Sequence, residues 1–383
     1  KAGYDSWMTA LLNAHNQIKK STTSNSNINI QQFDPSIKLS LDDFELIKVL
    51  GRGSYGKVTL VKCKYNNQLY AMKTMSKKKL ELLEQVQSTI QERNVLVKAN
   101  HPFLVSAYYT FQTPEKIFLV LDYMCGGDMF TRIRDENRFS EESVKLYAAE
   151  IALGLGHLHK LGYVYRDLKL ENILFDSQGH IKITDFGYAK GNLQNADSTT
   201  STFCGTTEYP APEIILQQAY TKVVDWWSLG VVLYEMMFGY TPFQSSNNQK
   251  VYINIIKNEP YFSYDADPDA KKLILSLLDK NPKTRGTFST IKNSKFMQDL
   301  NFDNVYENKI SPLTVPKLSS SISTENFDKE FTNEEPCDSV ILSTGNPSQI
   351  YFSNFSYTFT DIGEQFQFGP EDREIAPTTF END

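Results

Sequence analysis

Four chemically active side chains lie close together within residues 165–187, YRDLKLENILFDSQGHIKITDFG. Moving a phosphoryl group between oxygens needs a carboxylate to orient the acceptor hydroxyl, a cation to balance charge and oxygen ligands for magnesium. Asp167 is the candidate base, Lys169 is the cation, and Asn172 and Asp185 are the magnesium ligands, since Mg²⁺ prefers hard oxygen donors. The stretch therefore predicts phosphoryl transfer.

A structural interpretation of the same residues has to be weighed. Asp, Lys and Asn in a loop are often turn formers, and Asp-Phe-Gly alone is a common tripeptide. Here D-x-x-x-x-N spacing precedes Asp-Phe-Gly, and that combination is the protein-kinase signature. The full set favours catalysis over a turn.

A glycine-rich segment, GRGSYGKV, has Gly51, Gly53 and Gly56 in G-x-G-x-x-G spacing. Glycines let backbone amides approach a triphosphate without a Cβ in the way. The motif lies between two predicted strands, and no helix opens after it as a dinucleotide-binding fold requires. Lys73 follows on the third strand, where its ammonium can reach the α and β phosphates; an exposed strand lysine is the alternative.

The next segment, residues 82–100, has apolar residues at helical spacing and carries Glu92. If this helix turns inward, Glu92 can pair with Lys73, whereas most helical Glu residues are solvated. The segments FLVSAYYTF and KIFLVLDY predict two further strands, and residues 121–124 after them are the predicted hinge that meets adenine. Two helices are predicted within residues 128–160, and His157 and His159 in the second are interpreted as structural.

Composition limits the function classes. A net charge of −7 without a basic groove argues against nucleic-acid binding. The four cysteines form neither a CxxC motif nor a disulfide pattern, and no apolar run spans a bilayer. These observations predict a cytoplasmic protein in a reducing compartment. Residue 1 is Lys, so an upstream segment is expected to be missing.

Five segments are predicted along the chain. A helical pattern in residues 1–20 precedes a polar linker at 21–42 and a two-lobed domain at 43–302, divided into an N-lobe (43–123) and a C-lobe (124–302). A tail at 303–360 and an acidic, disordered end at 361–383 follow. The first helix is either an isolated amphipathic helix or, as SWMTALLNAHNQIKK resembles, the last helix of a truncated pleckstrin-homology domain.

The motifs GRGSYGKV, YAMK, YRDLKLEN, GHIKITDFG, TFCGT, APE and DWWSLGVVLYEMM together resemble the AGC group of serine/threonine protein kinases. Within that group the chain looks most similar to protein kinase B (Akt) and next to the serum- and glucocorticoid-induced kinases. The tail segments ENFDKEF and FSNFSY resemble the nucleotide-facing segment and the hydrophobic motif of the same group. The resemblance implies an α+β bilobal fold with a small antiparallel β lobe, a large helical lobe and a C-terminal tail.

The resemblance also implies the ligands and their residues. ATP and two Mg²⁺ ions are the expected cofactors. The implied ATP-binding residues are Gly51, Gly53, Gly56, Val58, Ala71, Lys73, Leu121, Tyr123, Met124, Asp128, Leu174, Asp185 and Phe327.

Regulation and structural support follow from the same resemblance. Thr202 and Ser356 match phosphosites, and a Thr202 phosphate is expected to pair with Arg166 and Lys190. Phe352 and Phe355 are expected to dock on the small lobe beside the Glu92 helix. The residues implied to support the fold or brace the base are Glu213, Arg285, Asp225 and Thr206.

Substrate choice is predicted from charge. Members of the group that prefer arginine upstream of the acceptor bind it with carboxylates near the cleft, and Asp128, Glu171 and Glu235 occupy the matching places. The resemblance therefore implies an R-x-R-x-x-S/T substrate like that of Akt. Phe203 and Thr207 complete the implied substrate site. The expected partners are basic protein substrates, an upstream phosphoinositide-dependent kinase, a hydrophobic-motif kinase and, through the missing domain, membrane phosphoinositides. A monomer recruited from cytoplasm to plasma membrane is expected.

Some positions depart from the group's pattern. Ser88 stands where a His is usual, Asp128 replaces Glu, and Ala107 replaces a bulky residue. GTTEYPAPE replaces GTPEYLAPE, Tyr188-Ala189 leaves Cys204 without a cysteine partner, and Ser339 is the only candidate for a turn-motif phosphosite. A pseudokinase is the alternative function; the presence of Lys73, Asp167, Asn172 and Asp185 argues for an active enzyme.

Overall fold

The computed structural model describes residues 39–53, 56–191, 200, 207–262, 267–338 and 351–359. The predicted N-terminal helix, most of the predicted linker and the acidic end lie outside these residues. So do Thr202, Phe203, Cys204, Thr206 and Ser339.

The smaller lobe is built on a six-stranded antiparallel sheet in the order β1-β2-β3-β5-β4-β8. Strands β2 and β3 alternate largely buried with half-buried residues, which places one face on the core, whereas β5 is buried along nearly its whole length. The strands are β1 (Phe44–Arg52), β2 (Gly56–Cys63), β3 (Leu69–Ser76), β4 (Ala107–Gln112), β5 (Lys116–Asp122) and β8 (Tyr357–Thr358). The last strand comes from the C-terminal tail, so both ends of the described chain contribute to one sheet.

The helical prediction for residues 82–100 is partly wrong. The structure has a short helix α1 (Lys77–Leu82) and a longer helix α2 (Val86–Lys98). Between them Glu84 adopts a left-handed backbone with φ of 54°, which interrupts the helix. The apolar spacing continues across this break, so periodicity alone could not locate it.

The strand prediction for FLVSAYYTF is also partly wrong. Strand β4 begins at Ala107, and Leu104 instead forms an isolated parallel bridge with Ile183 of the larger lobe. The Val105 N–H likewise donates to the Ile183 carbonyl. The predicted strand residues before β4 therefore connect the two lobes.

The larger lobe is mainly helical, with one hairpin of β6 (Ile173–Phe175) and β7 (Ile181–Ile183). Its helices are α3 (Met129–Glu136), α4 (Glu141–Lys160), α5 (Pro212–Ile215), α6 (Val224–Phe238), α7 (Asn248–Lys257), α8 (Pro268–Leu277), α9 (Phe288–Lys292) and α10 (Phe302–Tyr306). Every residue of α6 is buried. Because α6 is mostly apolar and buried around its whole circumference, it forms the centre of this lobe.

These elements confirm the predicted α+β fold with two lobes. Helices α3 and α4 are the two helices predicted within residues 128–160, and the helical region continues past Phe302 to Tyr306. A further short helix, α11 (Lys329–Thr332), lies in the tail. Across the described residues, no helix combines the length and apolar character needed to cross a bilayer.

Candidate active site

A cavity of about 600 Å³ opens between the two lobes. This volume is within the range of small-molecule sites. The thirteen residues predicted to bind ATP, given above, all line it. Strands β1, β2 and β3 supply its roof, the end of β5 supplies one wall, and residues around β6 and β7 supply the floor.

The glycine-rich turn between β1 and β2 covers the cavity. Its ends are held by a hydrogen bond from the Gly53 N–H to the Gly56 carbonyl, 3.0 Å long. A Cβ at Gly56 would lie 1.7 Å from the Thr74 carbonyl oxygen, so only glycine fits against β3. At Gly51 and Gly53 a Cβ would meet open space, which leaves room for a phosphate chain.

Lys73 connects the two lobes electrostatically. Its Nζ lies 2.7 Å from Glu92 Oε1 on α2 and 3.9 Å from Asp185 Oδ1 in the larger lobe. Glu92 is buried, which raises the pKa of its carboxyl, and the nearby Lys73 ammonium partly offsets that rise. The inward rotation of the Glu92 helix, on which the predicted pair depended, is thus present.

The candidate base lies in a hydrogen-bonded cluster. Asn172 Nδ2 donates to Asp167 Oδ2 at 2.8 Å and to the Asp167 carbonyl at 2.9 Å, and Lys169 Nζ lies 3.0 Å from Asp167 Oδ2. Burial raises the pKa of Asp167, while Lys169 and Asn172 oppose the rise. A general base works best when its pKa lies near the working pH, so a raised pKa makes the Asp167 carboxylate a better proton acceptor.

The donor set suits magnesium. Because the amide nitrogen of Asn172 is turned to Asp167, its Oδ1 is left as an acceptor for a cation. The Asp185 carboxylate is 47% exposed and lines the same cavity, on a left-handed backbone with φ of 57°. Phe186 is buried, which holds Asp185 toward the cleft. One amide oxygen and one carboxylate fit an ion that keeps waters and substrate phosphates in its shell.

A buried network fixes the backbone before the base. Asp225 on α6 accepts hydrogen bonds from the Tyr165 N–H (2.9 Å) and the Arg166 N–H (2.8 Å) and contacts His159 Nε2 at 2.7 Å. Arg166 has φ of 70°, so these contacts hold a left-handed residue in place. The contact with Asp225 agrees with the structural interpretation of His159.

Two family models match the sequence of this chain. A family model of the protein kinase domain matches residues 44–297, and one of the protein kinase C-terminal domain matches residues 318–357. The chain belongs to the AGC serine/threonine protein kinases.

Three relatives of this kinase from different organisms are 41–43% identical to it. They include the serine/threonine-protein kinase gad8 of Schizosaccharomyces pombe (43%, covering 84% of this chain and 57% of the relative). A RAC family serine/threonine-protein kinase homolog of Dictyostelium discoideum is 41% identical (84% and 73%), and Sgk1 of Gallus gallus is 43% identical (82% and 76%). The chain thus spans little more than half of the gad8 protein. Since these identities are nearly equal, the closer likeness to protein kinase B stays a prediction.

The kinase tail closes the open side of the cleft. The Phe327 ring stacks on Tyr123 with centroids 6.2 Å apart, and Tyr123 Oη donates to the Ser323 carbonyl at 2.6 Å. Asn326 Nδ2 donates to the Cys125 carbonyl at 3.0 Å. Sequence reasoning found Phe327 but missed Ser323 and Asn326, because small polar tail residues carry no distinctive pattern.

Arg166 and Lys190, the two cations predicted to bind a phosphate at Thr202, lie in one region. Arg166 Nε donates to the Tyr188 carbonyl at 2.8 Å, and its Nη1 donates to Tyr220 Oη at 3.1 Å. Lys190 Nζ donates to Thr200 Oγ1 at 2.6 Å, and Thr200 pairs with Tyr220 through backbone hydrogen bonds. Both cations therefore lie around the Thr200–Tyr220 bridge, two residues before Thr202 in sequence.

The predicted substrate carboxylates have different surroundings. Glu171 is exposed and lines the cleft, whereas Glu235 is buried with its Oε2 accepting from Tyr209 Oη at 2.7 Å. Burial is the main cause that raises the pKa of Glu235 to about 7, and the charges of Glu171 and Glu208 add to it. Thr207 is half-buried two residues before Tyr209.

The positions that depart from the group's pattern take local roles. Both oxygens of the Asp128 carboxylate accept hydrogen bonds from Thr131, from its N–H (2.8 Å) and its hydroxyl (3.1 Å), so Asp128 caps α3. Ser88 Oγ donates to the Gln85 carbonyl at 2.9 Å, so this hydrogen bond is local to the first turn of α2. Ala107 is buried at the start of β4. Tyr188, named only as a departure in sequence, lines the cleft.

Glu213 and Arg285 form a buried, bidentate pair. The Arg285 Nη1 and Nη2 atoms lie 2.6 Å and 2.9 Å from the two Glu213 oxygens. Arg285 Nε also donates to the Asp279 carbonyl at 2.9 Å. This pair joins α5 to the region between α8 and α9.

The hydrophobic motif is docked on the small lobe. Phe352 and Phe355 are buried, and Arg93 of the Glu92 helix donates from Nε to the Phe355 carbonyl at 3.1 Å. Ser356 is exposed beside them. The docking predicted for the two phenylalanines is thus present, although Arg93 and the contacting residues of β4 were not foreseen.

Proposed function

We propose that this chain transfers the γ-phosphate of ATP to serine or threonine hydroxyls of protein substrates. The observation that carries the proposal is the position of Lys73, which contacts Glu92 at 2.7 Å and lies 3.9 Å from Asp185 across the cleft. An active kinase needs the lysine pair and the magnesium-binding aspartate in place together. Here both conditions hold in one arrangement of the two lobes.

Each residue of the site has a separate role in the proposed phosphate transfer. The Asp167 carboxylate orients the acceptor hydroxyl and accepts its proton as the new O–P bond forms and the bond to the ADP oxygen breaks. Lys73 holds the α and β phosphates, and Lys169, 3.0 Å from Asp167, balances charge on the transferred group. Mg²⁺, held by Asn172 and Asp185, would supply charge neutralisation of the phosphates; we propose two ions.

Phosphate transfer to an arginine-rich peptide tests the activity. The chain, phosphorylated at Thr202 by an upstream kinase, is compared with Asp185→Asn and with Asp135→Asn, which changes an exposed aspartate of α3. Transfer by the chain and by Asp135→Asn, with loss in Asp185→Asn, supports the proposal. Equal background rates in all three would support the pseudokinase instead.

We further propose that the substrates are basic, with arginine upstream of the acceptor. Glu171 and Asp128 line the cleft, and Glu235 lies near enough to Glu171 for their charges to interact. Carboxylates bind guanidinium groups in a bidentate fork that lysine cannot match. Equal kcat/KM for an R-x-R-x-x-S peptide and its arginine-to-alanine counterpart would contradict this proposal.

Activation by phosphates at Thr202 and Ser356 is also proposed. Arg166 and Lys190 gather positive charge beside Thr200, which supports a phosphate receiver there. A Lys190→Met variant should gain less activity from Thr202 phosphorylation than the unchanged chain. A similar gain in both would count against the role of Lys190.

A further inference from the structure

An ion pair joins the two lobes at the point where β5 ends and the chain leaves the small lobe. Lys182 Nζ, on β7 of the larger lobe, lies 2.8 Å from Asp122 Oδ2, on the last residue of β5. The Lys182 side chain is 22% exposed and that of Asp122 is 12% exposed. Because water screens a partly buried pair less than one on the open surface, this contact can hold the lobes together.

The Asp122 carboxylate accepts from three donors. The Ser106 N–H donates to Oδ2 at 2.9 Å, and Tyr108 Oη donates to Oδ1 at 3.1 Å. The Lys182 ammonium is the third donor. Because donors from the start of β4 and from β7 converge on it, the carboxylate has a fixed position, unlike a mobile surface side chain.

Residues 103–106 lie between β7 and the Asp122 carboxylate. The Val105 N–H donates to the Ile183 carbonyl, and the Ile183 N–H donates to the carbonyl at the start of this segment, both at 2.9 Å. Lys182, beside Ile183 in β7, reaches Asp122 directly. The backbone bonds and the ion pair thus close a ring of contacts that includes both lobes.

This ring of contacts adjoins the nucleotide cavity. Lys182 is directly opposite Leu174 in the β6–β7 hairpin, and opposite residues of an antiparallel pair share one face. Leu174 and Asp122 line the cavity, whereas Lys182 does not. The ammonium therefore braces the floor of the cavity and the end of β5 from outside, without touching a bound nucleotide.

We propose that Lys182 is a positioning residue for nucleotide binding, an inference that rests on the proposed function. Its ion pair with Asp122 holds β7 against the end of β5 and so keeps the lobes at the separation at which the cavity fits a nucleotide. The same arrangement places Lys73 3.9 Å from Asp185. Loss of the pair lowers the fraction of chains in this arrangement, and the apparent affinity for nucleotide falls by the same factor.

Equilibrium binding of Mg·ADP to the full chain measures this effect without phosphate transfer. Lys182→Met should raise the dissociation constant about fivefold, at the lower end of typical couplings between two sites. Lys182→Arg keeps the cation and should bind nearly as well as the unchanged chain. The matched control is Lys272→Met, at an exposed lysine of α8. An unchanged dissociation constant in Lys182→Met, or equal losses in the Met and Arg variants, would overturn the proposal.

A double-mutant cycle assigns the effect to the ion pair itself. Asp122→Asn keeps an acceptor oxygen but removes the charge, so it should weaken Mg·ADP binding in the same direction as Lys182→Met. The double variant should bind no more weakly than the weaker single variant, because both changes remove one interaction. Losses that simply add would show that the two residues act independently, and would overturn the proposal.

Steady-state kinetics separate positioning from a general structural role. In Lys182→Met the KM for ATP should rise about fivefold with little change in kcat, because the groups that carry the chemistry are untouched. A variant that is merely part-unfolded loses kcat at constant KM, and that result would overturn the proposal. The expected response of Mg·ADP binding in a chain that transfers no phosphate would support this inference while contradicting the proposed function.

Discussion

Two ion pairs of similar length lie in very different surroundings. Lys73 and Glu92 are 2.7 Å apart in the cleft, and Arg285 and Glu213 are 2.6 Å apart in the larger lobe. The Lys73 side chain is 24% exposed, whereas that of Arg285 is fully buried. Exposure at the cleft lets Lys73 meet a substrate phosphate, while burial commits Arg285 to its protein partners. The comparison separates a pair that serves chemistry from one that serves stability.

The largest effect is expected at the candidate base, where a substitution should lower the catalytic rate far more than the stability. Asp167→Asn removes the proton acceptor and should lower kcat by roughly 10²–10⁴. The melting temperature should stay near that of the unchanged chain, because the amide can still accept a hydrogen bond. Asp135→Asn is the control for rate. A large drop in melting temperature with little loss of rate would show that Asp167 serves stability and not chemistry.

The larger-lobe pair should show the opposite behaviour. Arg285→Met leaves the buried Glu213 carboxylate without its cation and should cost about 3–5 kcal/mol of unfolding free energy, measured by denaturant titration. The matched control is Arg52→Met, which breaks an exposed contact to Glu334 (2.6 Å) and should change stability far less. Similar losses in the two variants would show that burial is not what distinguishes the pairs.

A third variant tests whether Glu92 takes up a proton when Lys73 is removed. In Lys73→Met, Glu92 loses the cation that opposes its raised pKa, so the folded chain should bind a proton there. Because proton uptake avoids an unpaired charge, the stability loss near neutral pH should be below the ~3–5 kcal/mol of Arg285→Met.

The pH dependence of this variant has a defined sign. A folded-state pKa above the unfolded value means that the native state holds a proton that the unfolded chain releases. The stability deficit of Lys73→Met should therefore grow as pH rises above 4.5, the ordinary value for Glu. Denaturant titrations across pH 5–8 measure it, and a deficit that is constant with pH would contradict proton uptake by Glu92.

The smallest effect concerns Glu235, which is buried like Glu213 yet lies near the cleft. With a pKa of about 7, its carboxylate gains charge as pH rises through neutrality. The ratio of kcat/KM for the arginine peptide to that for its alanine counterpart should rise severalfold, roughly 3–10 times, between pH 6 and 8. Glu235→Gln should flatten this profile, whereas Glu142→Gln, at an exposed position of α4, should not. A pH dependence that persists in Glu235→Gln would assign it to another group.

Local motifs carried most of the site prediction. The spacing of Asp167, Asn172 and Asp185 specifies their chemistry within a few residues, and the hairpin between β6 and β7 brings them together. The glycine-rich turn was likewise predictable, because its conformation depends on residues adjacent in sequence. The break at Glu84 was not, since the apolar pattern that indicates a helix runs through it.

The sequence by itself determined the reaction class, because that depends on short motif spacings, and its resemblance to a known kinase group predicted the two lobes and most residues of the cleft. Only the tertiary structure decided that α2 turns Glu92 toward Lys73 and that Asp225 holds the backbone of Arg166. It also decided that the tail reaches Phe359 along β4. These contacts join residues 19, 59 and some 250 positions apart, and no local pattern encodes such pairings. Packing of the whole chain selects them, by burying apolar surface and pairing the polar groups that burial leaves behind.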